Sequence, residues 1–339
     1  MTNDVAKRAA YLSAVSHIDR VRAPMVPLLT TDEIVATRAV IDPIFLDSVL
    51  VRHPALDDAF GCALTLKVET LNPIRSFKGR GAEAVLAAIT PRPPAVTAAS
   101  TGNFGQGIAW AARRRGITAT IYAPAGANPL KVEAMRRLGA TVFVVDPGRD
   151  ETEAAREAAE RPGALFIEDG ERREIAAGAG TIAQELTAAG LKPDVVLVQI
   201  GDGALVTGMG SWLKTNAPGT RVVGVTALGA PAMADSVAAG APVQRPADTI
   251  ADGLSITRPV DGALKQVIAA VDEILPVADE TILAAIRLLI EKAGILAEPS
   301  GAAGIAALME IGARFHGAAV VSVITGSNLD PKLLSRLAG

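Results

Sequence analysis

Lys78 is the residue around which chemistry can be built. It stands in Asn72-Pro73-Ile74-Arg75-Ser76-Phe77-Lys78-Gly79-Arg80-Gly81-Ala82, after an apolar run, Ala63–Val68, that reads as a strand and before an Ala-rich run, Ala82–Ile89, that reads as a helix. A ring next to an ammonium desolvates it and lowers its pKa, and nearby glycines let a ligand approach the backbone. A neutral amine in such a turn can serve as a Schiff-base nucleophile toward a carbonyl. The ordinary alternative is a solvated lysine in a turn.

Four more stretches carry side chains or amides suited to holding a ligand. Ser100-Thr101-Gly102-Asn103 follows a strand at Val96–Ala99 and opens a helix, so it presents two hydroxyls and free backbone N–H groups to an anion such as a carboxylate. Plain N-capping by Ser100, Thr101 or Asn103 explains it equally well. Gly201-Asp202-Gly203-Ala204-Leu205 follows an apolar strand, Asp194–Ile200, and can cradle a phosphate on its amides. It lacks the Lys-Ser/Thr ending of a Walker loop and the spacing of a dinucleotide fingerprint. Asp202 is awkward there, because a carboxylate repels a phosphate unless it points away. Glu298-Pro299-Ser300-Gly301 begins another helix, and Val320–Ile324 is a strand running into Thr325-Gly326-Ser327-Asn328. Taken singly, these two are a capped helix and a strand-ending turn.

In this order the five stretches make the chain closely similar to the fold type II (tryptophan synthase β-like) pyridoxal-phosphate (PLP) enzymes. That group includes the threonine and serine dehydratases, serine racemase, threonine synthase, and the cysteine and cystathionine synthases. The resemblance covers roughly residues 60–330. It implies a Schiff base between PLP and Lys78, with Phe77 beside the cofactor. Asn103 would contact the cofactor hydroxyl, and the phosphate would lie on Gly201, Asp202, Gly203, Ala204 and Leu205. Glu298 would also touch the cofactor, and Thr325 would face the pyridine nitrogen. Ser100, Thr101, Gly102 and Asn103 would hold the substrate carboxylate, with Phe104 beside the substrate. Lys78 would act as base on Cα–H, and Thr101 stands where racemases of the group carry a second catalytic base, commonly serine. A hydroxyl partner at the ring nitrogen disfavours a long-lived carbanion, so rapid expulsion of a β-leaving group is favoured. PLP supplies the electron sink and the protein selects the bond.

Departures from the pattern bear on the subtype. Ile74-Arg75 replaces the usual Thr-Gly or Ser-Gly, Phe104 replaces a histidine, and the phosphate loop reads Gly-Asp-Gly-Ala instead of four glycines. Threonine at 101 is poorly suited to racemisation. Thr226, Ala230 and Ala232 occupy positions where an acidic metal site is often found, so no activating divalent ion is expected. Nor is a regulatory amino-acid-binding domain. Phe104 points to a neutral or apolar β-substituent. The expected activity is a PLP-dependent ammonia-lyase (dehydratase) acting on a threonine- or serine-like amino acid. A β- or γ-replacement synthase, a racemase and a non-catalytic PLP- or amino-acid-binding protein are the alternatives.

The elements that must position these residues follow from the rest of the chain. From Pro91 strands and helices alternate at a spacing that argues for parallel sheets with helices on their faces. The expected class is α/β with two doubly wound open-sheet domains: a large PLP-binding domain over 1–94 and 169–339, and a small mobile domain over 95–168. A helix is expected over 4–20 and another near Phe45–Val51, and 227–262 is the least legible stretch. The 339 residues are 50% hydrophobic but only 3% aromatic, so the core must be built from Ala, Val, Leu and Ile. A net charge of −3 gives no field for nucleic acid. The lone Cys62 excludes an intrachain disulfide and a cysteine-built metal site, and is expected to be buried and inert. No apolar run reaches membrane-span length and no signal pattern opens the chain. A cytoplasmic enzyme is expected, and the family resemblance adds a homodimer.

Overall fold

The computed structural model describes residues 26–337. The helix expected over 4–20 lies outside them. Among the described residues the strands are, in chain order, β1 (Val49–Arg52), β2 (Ala63–Val68), β3 (Ala95–Ala99), β4 (Thr118–Ala123), β5 (Thr141–Val144), β6 (Ala164–Phe166), β7 (Val195–Gln199), β8 (Arg221–Ala227), β9 (Glu273–Val277) and β10 (Ala319–Ile324). Six form one sheet in the order β1-β2-β10-β7-β8-β9, and four form a second in the order β5-β4-β3-β6. Every pairing is parallel except β1 on β2, where Val49 faces Val68 and Arg52 faces Thr65.

Sequence composition explains this division. Parallel strands covered on both faces read as unbroken apolar runs, and all five residues of β7 and of β9 are buried. On the smaller sheet the edge strand β5 buries only Val142 of its four residues. One apolar layer runs from Val96 and Ile121 of the smaller sheet through Ile175 and Leu186 to Val196 and Val321 of the larger. A second fills the opposite face of the larger sheet, with Leu64, Leu197, Val223 and Ile305 at its centre. Proline opens the helices Pro54–Phe60, Pro129–Arg137 and Pro299–Ile311, where its fixed φ costs no hydrogen bond. Glycine in the left-handed region closes Asn103–Arg115 and Asp279–Ala293.

The helix expected near Phe45–Val51 is not formed. Pro43–Phe45 makes a single 3-10 turn and Val49–Arg52 continues as β1, because the edge of β2 offers that segment a hydrogen-bonding partner that local propensity does not register. The stretch 227–262 contains one helix, Ala232–Ala239, and a 3-10 turn at Asp252–Leu254. Cys62 is 5% exposed, and burial pushes its thiol up, with Asp57 adding to the effect.

The helix Lys78–Ala88 is pinned from beneath by buried charge. Arg80, wholly inaccessible, donates to both oxygens of Glu69 at 2.8 and 2.9 Å and to both oxygens of Glu185 at 2.6 and 2.9 Å. Lys67 Nζ donates to Glu185 at 2.6 Å and to the Ser48 carbonyl at 2.7 Å. Two cations thus face two carboxylates with their hydrogen bonds largely met, the condition under which buried ions are tolerated. The helix Arg173–Ala188 packs on this one at very short range: a Cβ on Gly178 would stand 2.5 Å from the Arg80 carbonyl.

Candidate active site

The turn ahead of Lys78 is built by Asn72, whose Nδ2 donates to the Glu69 and Ser76 carbonyls at 2.9 and 3.0 Å while its Oδ1 accepts from Ile74 N–H at 3.1 Å. Arg75 sits at φ +52 with its side chain exposed. The position demands left-handed backbone, which costs an L-residue roughly 1–2 kcal/mol and glycine almost nothing. Phe77 N–H donates to the Thr325 carbonyl and Ser327 N–H to that of Arg75, both at 3.0 Å, which ties the lysine turn to the end of β10.

Lys78 is the first residue of its helix. Its Nζ forms an ion pair with Asp169 and lies 5.0 Å from the Phe77 ring centroid and 5.8 Å from that of Phe104. Burial pulls the ammonium's pKa down, but Asp169, Asp202 and Glu298 together outweigh it, so the pKa is raised. The expectation that the neighbouring ring lowers it is therefore corrected, since opposite charges close by outweigh a desolvating face.

Ser100 Oγ accepts from Gly102 N–H at 3.0 Å and Gly105 N–H at 2.8 Å, so Ser100 caps the helix Asn103–Arg115. Thr101 is exposed beside it. Asn103 Nδ2 donates to Glu298, and its Oδ1 accepts from Asn328 Nδ2 at 2.8 Å. Glu298 is 2% exposed; burial raises its carboxyl, with Asp252 adding to that and Lys131 opposing it. Lys131 Nζ sits 3.4 Å from Glu298 and 2.5 Å from Asp252. Gly326 is a forced choice at this junction: a Cβ there would lie 2.2 Å from Glu298 Oε1 and 3.1 Å from Asn103 Nδ2.

The loop 201–205 ends β7 and opens the helix Ala204–Asn216, with Gly203 at φ +101. Thr207 N–H turns back to the Gly203 carbonyl, leaving the amides of the first turn free of intrahelical partners. Asp202 does not point away: it lines the cleft and reaches a pKa of about 7 through burial and the charge of Asp169, although Lys78 opposes both.

Phe77, Lys78, Ser100, Thr101, Asn103, Phe104, residues 201–205, Glu298 and Thr325 line one cleft of about 340 Å³. Gly102 does not; it packs beneath Lys131, where a Cβ would meet that side chain at 2.4 Å. Asp169, Lys131, Asp252 and Asn328 are the partners that sequence motifs leave out. Among the described residues no three of His, Cys, Asp and Glu converge as a metal site would need, and no helix is long and apolar enough to cross a membrane.

The donor set fits PLP. A lysine amine stands at one wall and a helix start with free amides at another. Asp169 Oδ1, Gln199 Oε1 and Glu298 Oε2 are buried acceptors without a hydrogen-bond donor on the cleft wall. Residues 42–326 match the family described as pyridoxal-phosphate dependent enzyme. The chain belongs to that family. It is 34% identical over 314 residues to the L-threonine ammonia-lyase of Thermotoga maritima, covering 91% of this chain and 78% of the relative. It is 33% identical to a biosynthetic L-threonine dehydratase of Mycobacterium leprae, covering 91% and 74%. Among solved structures, a bacterial threonine deaminase (T.th.) superposes with a TM-score of 0.84 at 32% identity, covering 89% of this chain and 99% of that one. Maize serine racemase superposes with a TM-score of 0.85 at 28% identity, covering 91% and 97%. The fold is that of the fold type II enzymes, and the chain is a PLP-dependent lyase of the ammonia-lyase (dehydratase) group.

Proposed function

We propose that the cleft eliminates water from a threonine- or serine-like amino acid, giving a 2-oxo acid and ammonia. The observation that carries this is one lysine amine sharing a single cleft with the Ser100–Asn103 turn, the helix start at Ala204 and the Thr325 hydroxyl. Bound PLP would supply the electron sink for the bonds broken at Cα and Cβ. The amides of Ala204 and Leu205 and the backbone of Gly201–Gly203 hold its phosphate. Thr325 stands by its ring nitrogen as a neutral partner.

The chain's own groups do the rest. The Thr101 hydroxyl and the amides at the start of Asn103–Arg115 take the substrate carboxylate, against the helix dipole. Asn103, fixed by Glu298 on one side and Asn328 on the other, orients the cofactor hydroxyl. Lys78 Nζ accepts the Cα proton and holds it on an ammonium that Asp169 stabilises. Phe104 presents an apolar face to the β-carbon. Thr101, on the exposed side of the cleft, is too weak a base to reprotonate Cα, so enantiomer exchange stays a minor path.

The four-stranded sheet, with residues 95–168, is the smaller domain and closes over substrate. Its link to the remainder at the site is Lys131, which meets Asp252 and Glu298 across the cleft. The enzyme works in the cytoplasm as a homodimer; Val35, Val40, Ile44 and Val49 expose apolar surface on one segment that a second copy can cover. Light scattering of the purified protein should return twice the chain mass.

Two measurements test the central reading. Lys78→Ala should abolish the visible absorbance of bound cofactor and all turnover. A panel of amino acids should give 2-oxo acid and ammonia in equal amounts from threonine or serine. Enantiomer exchange without oxo acid would overturn the reading.

A further inference from the structure

We propose that Asp202, in the site whose reaction is proposed above, is the acid that protonates the departing β-hydroxyl, with Asp169 as its proton-sharing partner. The loops carrying the two residues lie against one another: a Cβ on Gly170 would stand 3.0 Å from both the Cβ and the carbonyl oxygen of Asp202. Both carboxylates line the catalytic cleft. One Asp169 oxygen takes the Lys78 ammonium, and the other, Oδ1, is buried without a donor.

The charges facing Asp202 are lopsided. Asp169 and Glu168 come from the loop after β6, and Lys78 from the helix after β2. Glu168 is itself paired with Arg156 at 2.6 Å, and Arg258 lies farther along the cleft wall. Glu298 acts on Lys78 from the other side but is matched by Lys131. One lysine therefore answers two neighbouring carboxylates. Like-charged carboxylates that share a site do not both ionise, so the pair keeps a proton. Its residence on Asp202 agrees with that carboxyl's rise to about 7, which is suited to donating at neutral pH.

The chemistry needs such a donor. When Cα–H breaks, its proton goes to Lys78 Nζ, which enters the step neutral and cannot give a proton at the same moment. The Cβ–O bond breaks with its electron pair on oxygen. That oxygen takes the Asp202 proton and leaves as water, and Asp202 becomes a carboxylate. The ammonium of Lys78 then returns its proton to the pair through the Asp169 contact, which restores both groups. Everything transferred is accounted for within the cleft, with no co-reactant.

The test sets leaving groups against each other in the holoenzyme. Chloride departs from β-chloro-L-alanine without a proton, whereas hydroxide does not leave serine or threonine unaided. Asp202→Asn keeps the shape and loses the acid. It should lower kcat on the hydroxy amino acid by about 100-fold or more, while most of the β-chloroalanine turnover survives. An equal fall on both substrates, or on neither, overturns the assignment. A wild-type enzyme that turns over β-chloroalanine but no hydroxy amino acid removes the dehydratase reading, and this assignment with it. Independently of turnover, the infrared spectrum of the cofactor-free protein should show a protonated-carboxyl band that titrates near neutral pH and is missing in Asp202→Asn. If the band persists unchanged in the variant, the proton is elsewhere and the assignment fails.

Discussion

At the scale of single residues, the amine of Lys78 is governed by charge more than by its aromatic neighbours. An ammonium over a ring gains about 0.5–2 kcal/mol, whereas opposite charges 4 Å apart interact by about 4 kcal/mol at an effective dielectric of 20. Asp169 in contact and Asp202 and Glu298 nearby thus decide the direction of the shift. Asp169→Asn should lower the Lys78 pKa and move the acid limb of the kcat/KM profile to lower pH, because the base loses its proton at lower pH. A profile that keeps its acid limb would show that another group sets it. Arg75 gives a stability prediction: with φ +52 and an exposed side chain, Arg75→Gly removes backbone strain at no loss of burial. The gain, offset in part by glycine's extra freedom when unfolded, should be about 0.5–1 kcal/mol in urea unfolding, with activity unchanged. Lys78, Asn103 and Thr325 were legible in sequence because each follows a strand and carries a local signature. Asp169, Lys131 and Asp252 were not. A charged residue in a loop looks like any solvated charge until the fold sets it opposite a partner ninety or more positions away, as with Asp169 and Lys78.

At the scale of elements, the site is assembled where strands stop. β2, β10 and β7 are neighbours in the larger sheet, and their carboxyl ends lead to Lys78, Thr325 and Gly201. β3 and β6, neighbours in the smaller sheet, lead to Ser100 and Asp169. Ligands of open α/β sheets gather at such ends. Most strands and helices were readable from apolar runs and glycine or proline boundaries, and β1 was not, because its conformation depends on the edge it joins. Gly326 shows how tightly the elements close on the site. Gly326→Ala would drive a methyl group to 2.2 Å from Glu298 Oε1 and displace Asn103. An error of that size in a group that orients the cofactor should reduce kcat/KM by roughly 100-fold. Steady-state kinetics would check it, and an unaltered value would mean that the Asn103–Glu298 pair is dispensable.

At the scale of the whole molecule, stability and catalysis share a foundation in the charged cluster beneath the Lys78 helix. Burial pushes the Glu185 carboxyl up, but hydrogen bonds and charge from Arg80, joined by Lys67, hold it at about 2. A carboxyl whose pKa is lowered by folding contributes stability above its unfolded value, and that contribution is lost as pH falls through the folded one. The protein should therefore lose stability progressively from about pH 4.5 toward pH 2. Glu185→Gln should cost about 3–5 kcal/mol at neutral pH, because Arg80 and Lys67 would be left sharing Glu69. Its acid dependence should also be shallower than that of the parent protein in urea unfolding followed across pH.

The smaller sheet is one uninterrupted stretch of chain whose first and last strands, β3 and β6, lie side by side with Ala95 opposite Ala164. The polypeptide leaves the larger sheet and returns to it through adjacent doors. A segment so attached can be exchanged for a homologous one without rerouting the rest of the backbone. Lys78, Thr325 and the loop at 201–205 would stay on the recipient, and the Ser100–Phe104 turn would travel with the insert. Such chimaeras offer a way to transplant substrate preference as a cassette. In lineages of this fold, recombination at these two crossings would let new preferences arise faster than point substitution allows.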